Sequence, residues 1–481
     1  MTKNNKLKEE LNKIPDEKQK PLTVKDKIAI GVEAIKQEYG IDVEPTKNIK
    51  FKIEKIINFI NNRYDFRYNV INTDTEYKPK DSDKWIYFDD RDYRDIKLEL
   101  KLNNIAISDE DFKTITFSRS ISEEYNPFMN YFNSIGKCDS EYVYEGNDKD
   151  KNKKFKGVKS GRDYIFDFCN QVQLVDEENN REYFVEGFRK WFTALVVGLI
   201  KDEPSQGNIN HTCLVLVGGQ GKYKTTFIKS IIPQHLQLKY FYGGSFQVHN
   251  KDHEKYLAYM MLINLDEMAA LNKTDIETLK STMSNDQVIL RLPYAKADIH
   301  LKRRASFAAT QNNKAFLRDE TGSRRWLVIE IENITLRDDF DLGKIYAQAI
   351  QHYKDGLKYW FDNEDIKKIE SVNEKFQART FEYEIVDRLY QVPTEEEIRE
   401  RHTFVKYLDA TEIAAKFSKD NNVNNNNSVI INVGKALSAL GFTKRSVRRN
   451  GKPVQLWCVK EALNKLELLN DNGEIEDENV M

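Results

Sequence analysis

The sequence predicts an α/β fold built round a phosphate-binding loop, and three observations predict it. The apolar run Cys213–Val217 leads into the glycine-rich turn Gly218, Gly219, Gln220, Gly221, Lys222, Tyr223, Lys224, Thr225, Thr226, after which Phe227–Ile232 reads as a helix. A second apolar run, Met260–Leu265, ends in the acids Asp266 and Glu267, the first of them 42 residues beyond Lys224. Strand and helix patterns alternate over residues 205–335, the order of a mainly parallel sheet.

A nucleoside triphosphate concentrates negative charge, and such a turn aims backbone N–H groups and a helix N-terminus at it. Lys224 can reach the terminal phosphates and Thr225 can ligate Mg²⁺, so ATP and Mg²⁺ are the expected ligands of residues 218–226. The spacing departs from G-x-x-x-x-G-K-[ST] at one place: Tyr223 stands where glycine is usual and adds bulk to the turn. A strand ending in two acids sets charge at a sheet edge, which needs a cation or a water-filled site. Asp266 would hold Mg²⁺ through water and Glu267 would polarise the attacking water. The alternative is that Asp266 caps a following helix.

Residues 1–50 are rich in Lys, Glu and Asn and carry Pro15, Pro21 and Pro45, which predicts a flexible leader. Residues 51–204 form an N-terminal region, mixed α/β at first and then mainly helical. Phe51, Ile53, Ile56, Ile57 and Ile60 share one helix face, Phe66–Ile71 reads as a strand with Trp85–Phe88 as its partner, and a helix runs through Leu98 and Leu100. From 107 to 200 the pattern leans helical, broken by a hydrophilic loop at 146–154. Tyr183, Phe184, Phe188, Trp191 and Phe192 mark the core face of a helix. Trp191–Ile200 is half the length of a membrane span of about 20 residues and reads as a buried helix.

After the core at 205–335, residues 336–400 form a helical connector through Tyr346, Ile350, Tyr353, Leu357 and Trp360. Residues 401–465 open with Phe404–Leu408 and a capping pattern from Asp409 to Glu412, then read as helix, helix, strand, turn, strand, a winged-helix-like order. The asparagine run 424–427 is a loop between the helices. Residues 466–481 are a tail with six acids and no cation, expected to stay off nucleic acid.

Three polar constellations accompany this frame. Residues 291–304 hold five cations, Arg291, Lys296, Lys302, Arg303 and Arg304, against one acid, and Pro293 with Tyr294 suits a hairpin. They would face a polyanion or form a solvated charged hairpin. The strand Ala305–Thr310 runs into Gln311, Asn312 and Asn313, where Asn312, or Asn313 in its place, can bond both an attacking water and a phosphate oxygen. Arg324 and Arg325 close a turn before another apolar strand. Either could supply charge to a phosphoryl-transfer site across a subunit boundary, or serve in surface ion pairs. In the last segment Lys444, Arg445, Arg448, Arg449 and Lys452 give five cations with no acid between the first and the last, a basic wing for duplex or forked DNA or a surface for protein contacts.

With 481 residues, 32% charged and 40% hydrophobic, the chain has room for about three globular domains. A net charge of −2 names no partner, so local clusters must do so. Four cysteines at scattered positions exclude a disulfide frame and suit a cytoplasmic location. The N-terminus has no secretory pattern, and no membrane partner is expected.

The succession GGQGKYKTTF, MMLINLDE, VILRLPYAKADIHLKRRASFAATQNN and FLRDETGSRRW resembles the virulence-associated protein E family, whose ATPase module is similar to superfamily 3 helicases of the AAA+ class. RYDFRYNV and SEEYNPFMNYF also look like the region ahead of that module. The resemblance implies the phosphate-loop roles for Lys224 and Thr225, metal and water roles for Asp266 and Glu267, a sensor role for Asn312 and an arginine-finger role for Arg324 or Arg325. A site that needs a neighbour's guanidinium is incomplete in one chain, which predicts a homo-oligomer, for which a hexameric ring is one form. The expected function is that of a helicase-like replication protein on single-stranded or forked DNA, and the resemblance implies a bacterial mobile element or prophage as its setting. A nucleotide-gated DNA-binding initiator or defence regulator is the alternative.

Overall fold

The computed structural model describes residues 47–146, 152–200, 209–247, 250–266, 273–290, 298–317, 323–337, 339–378, 380–400, 402–421, 427–449 and 451–462. These fall into two compact units, one of the described residues up to Asn313 with Arg324–Glu370, the other of those in Lys314–Ser323 with those from Ser371. Nearly all of the expected leader, and all of the acidic tail, lie outside the described residues.

In the first unit, α1 (Lys47–Arg63) buries Ile56, Ile57 and Ile60 as its spacing predicts. β1 (Tyr64–Asn69) pairs antiparallel with β2 (Asp74–Pro79), and β3 (Ile86–Tyr87) pairs with β2. Trp85–Phe88 is therefore not the partner of the first strand, as the sequence suggested. The true partner, DTEYKP, escapes notice because it buries a carboxylate: Glu76 lies 2.5 Å from both Arg67 and Lys239. A capping box of Asp89 and Asp92 starts α2 (Asp90–Leu102), followed by α3 (Asp109–Thr116), and β4 (Ser122–Tyr125) adds parallel to β1.

Next come α4 (Pro127–Ser134), the antiparallel hairpin β5 (Glu141–Glu145) and β6 (Lys154–Ser160), α5 (Tyr164–Cys169), β7 (Val172–Leu174) and α6 (Glu177–Ile200). The stretch 107–200 is thus less helical than expected, because KFKGVKS alternates only between exposed and half-buried positions and buries none of them, which leaves its apolar signal weak. α6 is buried from Tyr183 to Leu199 apart from Glu186 and Lys190, and its Trp191 indole N–H donates to the carbonyls of Thr212 (3.1 Å) and Phe307 (3.2 Å).

Then follow β8 (Cys213–Val217), α7 (Lys224–Ser230), α8 (Gln234–Tyr240), β9 (Phe241–Gly244), α9 (Lys251–Tyr259), β10 (Leu262–Asp266), α10 (Lys273–Ser284), the antiparallel hairpin β11 (Gln287–Leu290) and β12 (Ile299–Lys302), β13 (Ser306–Gln311) and β14 (Trp326–Ile334). One sheet takes the order β7-β14-β8-β13-β10-β9, parallel throughout except where β7 meets β14. β8, buried on both faces, reads as a continuous apolar run for that reason. α11 (Leu342–Lys354) packs against α6, and its Tyr346 hydroxyl donates to the Ile231 carbonyl at 2.9 Å. His352, fully buried on α11, lies between the Tyr144 hydroxyl (2.7 Å), Gln348 (3.1 Å) and Arg189 (3.2 Å).

The connector carries α12 (Asn363–Asn373), α13 (Phe381–Leu389), β15 (Tyr390–Gln391) and α14 (Glu395–Arg399). In the second unit β16 (Val405–Leu408), α15 (Ala410–Asn421), α16 (Asn427–Ala439), β17 (Lys444–Arg449) and β18 (Lys452–Glu461) follow in the predicted order. Asp409 and Glu412 exchange backbone-to-carboxylate bonds of 2.8 Å at the start of α15. β18 pairs successively with β17, β16 and β15, over a core of Ile385, Ile413, Val433, Leu437 and Trp457.

Candidate functional site

Parallel register sets the site. Val217 lies opposite Gln311 and Thr310 lies opposite Asp266, so the turn after β8 and the ends of β10 and β13 share one margin of the sheet. The Gly218 N–H donates to the Gln311 carbonyl at 3.0 Å. A Cβ at Gly218 would sit 2.7 Å from the Ile331 carbonyl oxygen of β14, so the turn can leave the sheet here only through glycine. Gly221 adopts φ +78°, and Tyr223 is also left-handed at φ +57°, ψ +22°, with its side chain 60% exposed. For a tyrosine that conformation costs about 1–2 kcal/mol.

Beyond it, the Lys224 ammonium donates to the carbonyls of Gly218 and Gly219, each at 2.7 Å, and to Asn312 Oδ1 at 2.9 Å. Burial, with the charge of Lys222 adding to it, pushes the Lys224 pKa down. Thr225 Oγ1 stands 3.5 Å from Asp266 Oδ1. That oxygen also accepts from Asn264 Nδ2 at 2.6 Å and Thr310 Oγ1 at 3.0 Å. Lys224, Thr225, Asp266 and Asn312 therefore converge from three separate segments. Of the two asparagines, Asn312 is the one whose side chain meets Lys224.

Chemically, the site offers a cation and strand-end amides for an anion, and hydroxyl and carboxylate oxygens for a hard, water-rich cation. No cluster of three His, Cys, Asp or Glu that could hold a metal occurs among the described residues. Glu267, Arg291 and Lys296 lie outside the described residues.

Sequence reasoning missed Asn264 and Thr310. The available signal was an amide in the middle of the apolar strand LINLD, where burial demands a partner.

Arg324 and Arg325 sit at the opposite margin, since Trp326, which follows them, pairs with Cys213 at the start of β8. They line a cleft of about 230 Å³ with His211, Tyr359, Trp360 and Phe361, and Arg325 Nη2 donates to Ser284 Oγ at 3.0 Å. Burial first, then repulsion by Arg303, Arg325 and Arg324, lowers the His211 pKa. Within one chain the backbone at Trp326, next to these arginines, is about four strand residues, roughly 13 Å, from the turn.

The cations of β12 and its exit require correction. Lys302, Arg303 and Arg304 are buried rather than turned to a polyanion. Lys302 donates to the Gly198 carbonyl at 2.8 Å, and Arg303 to the carbonyls of Asn285 (2.8 Å), Ala305 (2.5 Å), Met283 (2.9 Å) and Asn210 (3.1 Å). Arg304 Nη1 lies 3.5 Å from the Ala258 carbonyl. They close irregular backbone that would otherwise be buried unpaired.

On β17 the wing is less bare than its own sequence suggests. Arg445 pairs with Glu395 at 2.5 Å and Arg449 with Glu412 at 2.8 Å, acids supplied from α14 and α15. Lys444 lies 4.5 Å over the Trp457 ring. Arg448 and Lys452 are exposed.

Residues 158–378 match the virulence-associated protein E-like domain. Among solved structures, the apo structure of the NrS-1 C-terminal region (305–718) is similar at 12% identity and a TM-score of 0.39, covering 85% of this chain and 98% of that chain. The A form apo structure of the same region gives 12% and 0.40, covering 85% and 99%. A search of curated proteins gave no match. No helix among the described residues is long and apolar enough to cross a membrane. The match over residues 158–378 is to the same virulence-associated protein E family that the sequence motifs resemble.

Proposed function

We propose that the protein is an ATPase with a superfamily 3 helicase-like, AAA+ phosphate-loop core, acting on single-stranded or forked DNA in the replication of a bacterial mobile element or prophage. The observation that carries this reading is the convergence of Lys224, Thr225, Asp266 and Asn312 on one sheet margin. On ATP binding, Lys224 exchanges the carbonyls of Gly218 and Gly219 for phosphate oxygens. Thr225 and Asp266, 3.5 Å apart, have the oxygen chemistry for Mg²⁺, directly and through water respectively. When bound, Mg²⁺ neutralises charge between the outer phosphates. Asn312 orients the γ-phosphate and the water that Glu267 polarises.

The guanidinium charge comes from Arg324 or Arg325 of a second copy, because both stand at the far margin of their own sheet. Such a residue contributes roughly 10³–10⁵ in rate, about 4–7 kcal/mol of barrier. A homo-oligomer, closed as a ring of six or another number, follows from that requirement.

ATP hydrolysis with and without single-stranded DNA tests the reading. DNA should stimulate the wild type, and Lys224→Ala should abolish both turnover and unwinding of a forked substrate. ATP binding that survives Lys224→Ala unchanged would sink it.

The left-handed Tyr223 favours a second reading, a nucleotide-gated DNA-binding initiator or defence regulator, because strain in the loop suits slow turnover. ATP-dependent assembly on DNA without strand separation is the outcome that would select it.

A further inference from the structure

Asn264 is fully buried in the middle of β10, where every other side chain but the terminal aspartate is apolar. Residues two apart on a strand share a face, so Asn264 lies behind Asp266, and Thr310 stands directly across from Asp266 on β13. Both donate to the same oxygen, Asp266 Oδ1, at 2.6 and 3.0 Å. Asn264 keeps its own Oδ1 buried without a hydrogen-bond partner among the described residues. A group retained for folding alone would not leave half its bonding capacity unused in a site that leucine could fill.

We infer that Asn264 and Thr310 are positioning residues that hold the Asp266 carboxylate by Oδ1, beside Thr225, in the orientation that meets the water shell of a nucleotide-bound Mg²⁺. Two fixed donors on one oxygen lock the carboxylate plane, and partners of this kind set the orientation of metal-binding groups. The inference rests on the phosphate-loop reading above. It concerns only the magnesium-dependent part of nucleotide affinity.

The test measures the affinity of the full chain for a fluorescent ATP analogue in EDTA and across a Mg²⁺ titration, together with melting temperature. Asn264→Leu and Thr310→Val should bind the analogue in EDTA as the wild type does, while the Mg²⁺ concentration for half-maximal gain rises about tenfold. Thr310→Ser, which keeps the hydroxyl, should behave as wild type. Asn264→Leu should melt at or above the wild-type temperature, a combination that a structural role would not produce. An unchanged Mg²⁺ midpoint in both variants overturns the inference and leaves the phosphate-loop reading standing. A shift confined to one variant overturns the assignment of the other residue. If Asn264→Leu fails to fold, the Thr310 pair decides. A wild type that binds no nucleotide overturns both readings.

Discussion

Buried charge is where single residues matter most to this fold. Arg303 is 1% exposed and its guanidinium is spent on four backbone carbonyls, with burial pushing its pKa down to about 10. Arg303→Ala should destabilise by about 2–4 kcal/mol, read by thermal or denaturant unfolding, because the carbonyls lose their donors. DNA affinity per folded molecule should stay the same. Tyr223→Gly should stabilise by about 1 kcal/mol, since glycine takes the left-handed conformation freely. Burial and the charge of Arg189 hold the His352 pKa well below its ordinary value, against an opposing pull from Asp163. As pH falls below about 6.5 the unfolded chain takes up a proton that the folded one refuses, so stability should drop by about 1.4 kcal/mol per pH unit. Melting curves from pH 7 to 5 should show that slope, and His352→Gln should flatten it. The four converging residues were legible because each sits in a local pattern of strand, turn and acid or amide. The fate of Lys302, Arg303 and Arg304 was not, because a run of cations looks the same whether it faces water or caps carbonyls.

Elements were legible where one face or both faces are apolar. β8 and β10 could be placed from composition alone, as could α6 from its aromatic spacing. β5 and β6 were lost because they carry Glu and Lys on exposed faces, and β2 because it buries the carboxylate of Glu76. The β17–β18 hairpin was found in order, but the acids that neutralise Arg445 and Arg449 come from elsewhere in the chain and could not be read locally. This sorts the wing's cations by whether an acid meets them. Arg448→Ala with Lys452→Ala should weaken binding to single-stranded DNA and flatten the salt dependence by about 1.4 in log–log slope, read by fluorescence anisotropy. Arg445→Ala should change that slope much less.

At the scale of the whole molecule, the sheet extends beyond the boundary drawn at residue 205. β7 pairs with β14, and α6 brings Trp191 to the carbonyls of Thr212 and Phe307, so both belong to the core although they precede the glycine-rich turn. The sequence hid this because β7 is three residues long, too short for a periodic signal. The register of β14 against β8 also separates Arg324 and Arg325 from Lys224. Mixing equal amounts of Lys224→Ala with an Arg324→Ala, Arg325→Ala double variant should therefore restore hydrolysis that neither has alone, to about a quarter of wild-type junctions under random assembly. An ATPase assay of the mixture checks it; no recovery would place the arginines outside the reaction. Under the proposed supply of arginine between chains, dilution should act as an inhibitor. A solitary chain would hold its fuel indefinitely, and specific activity would climb with protein concentration until every chain has a neighbour on both flanks.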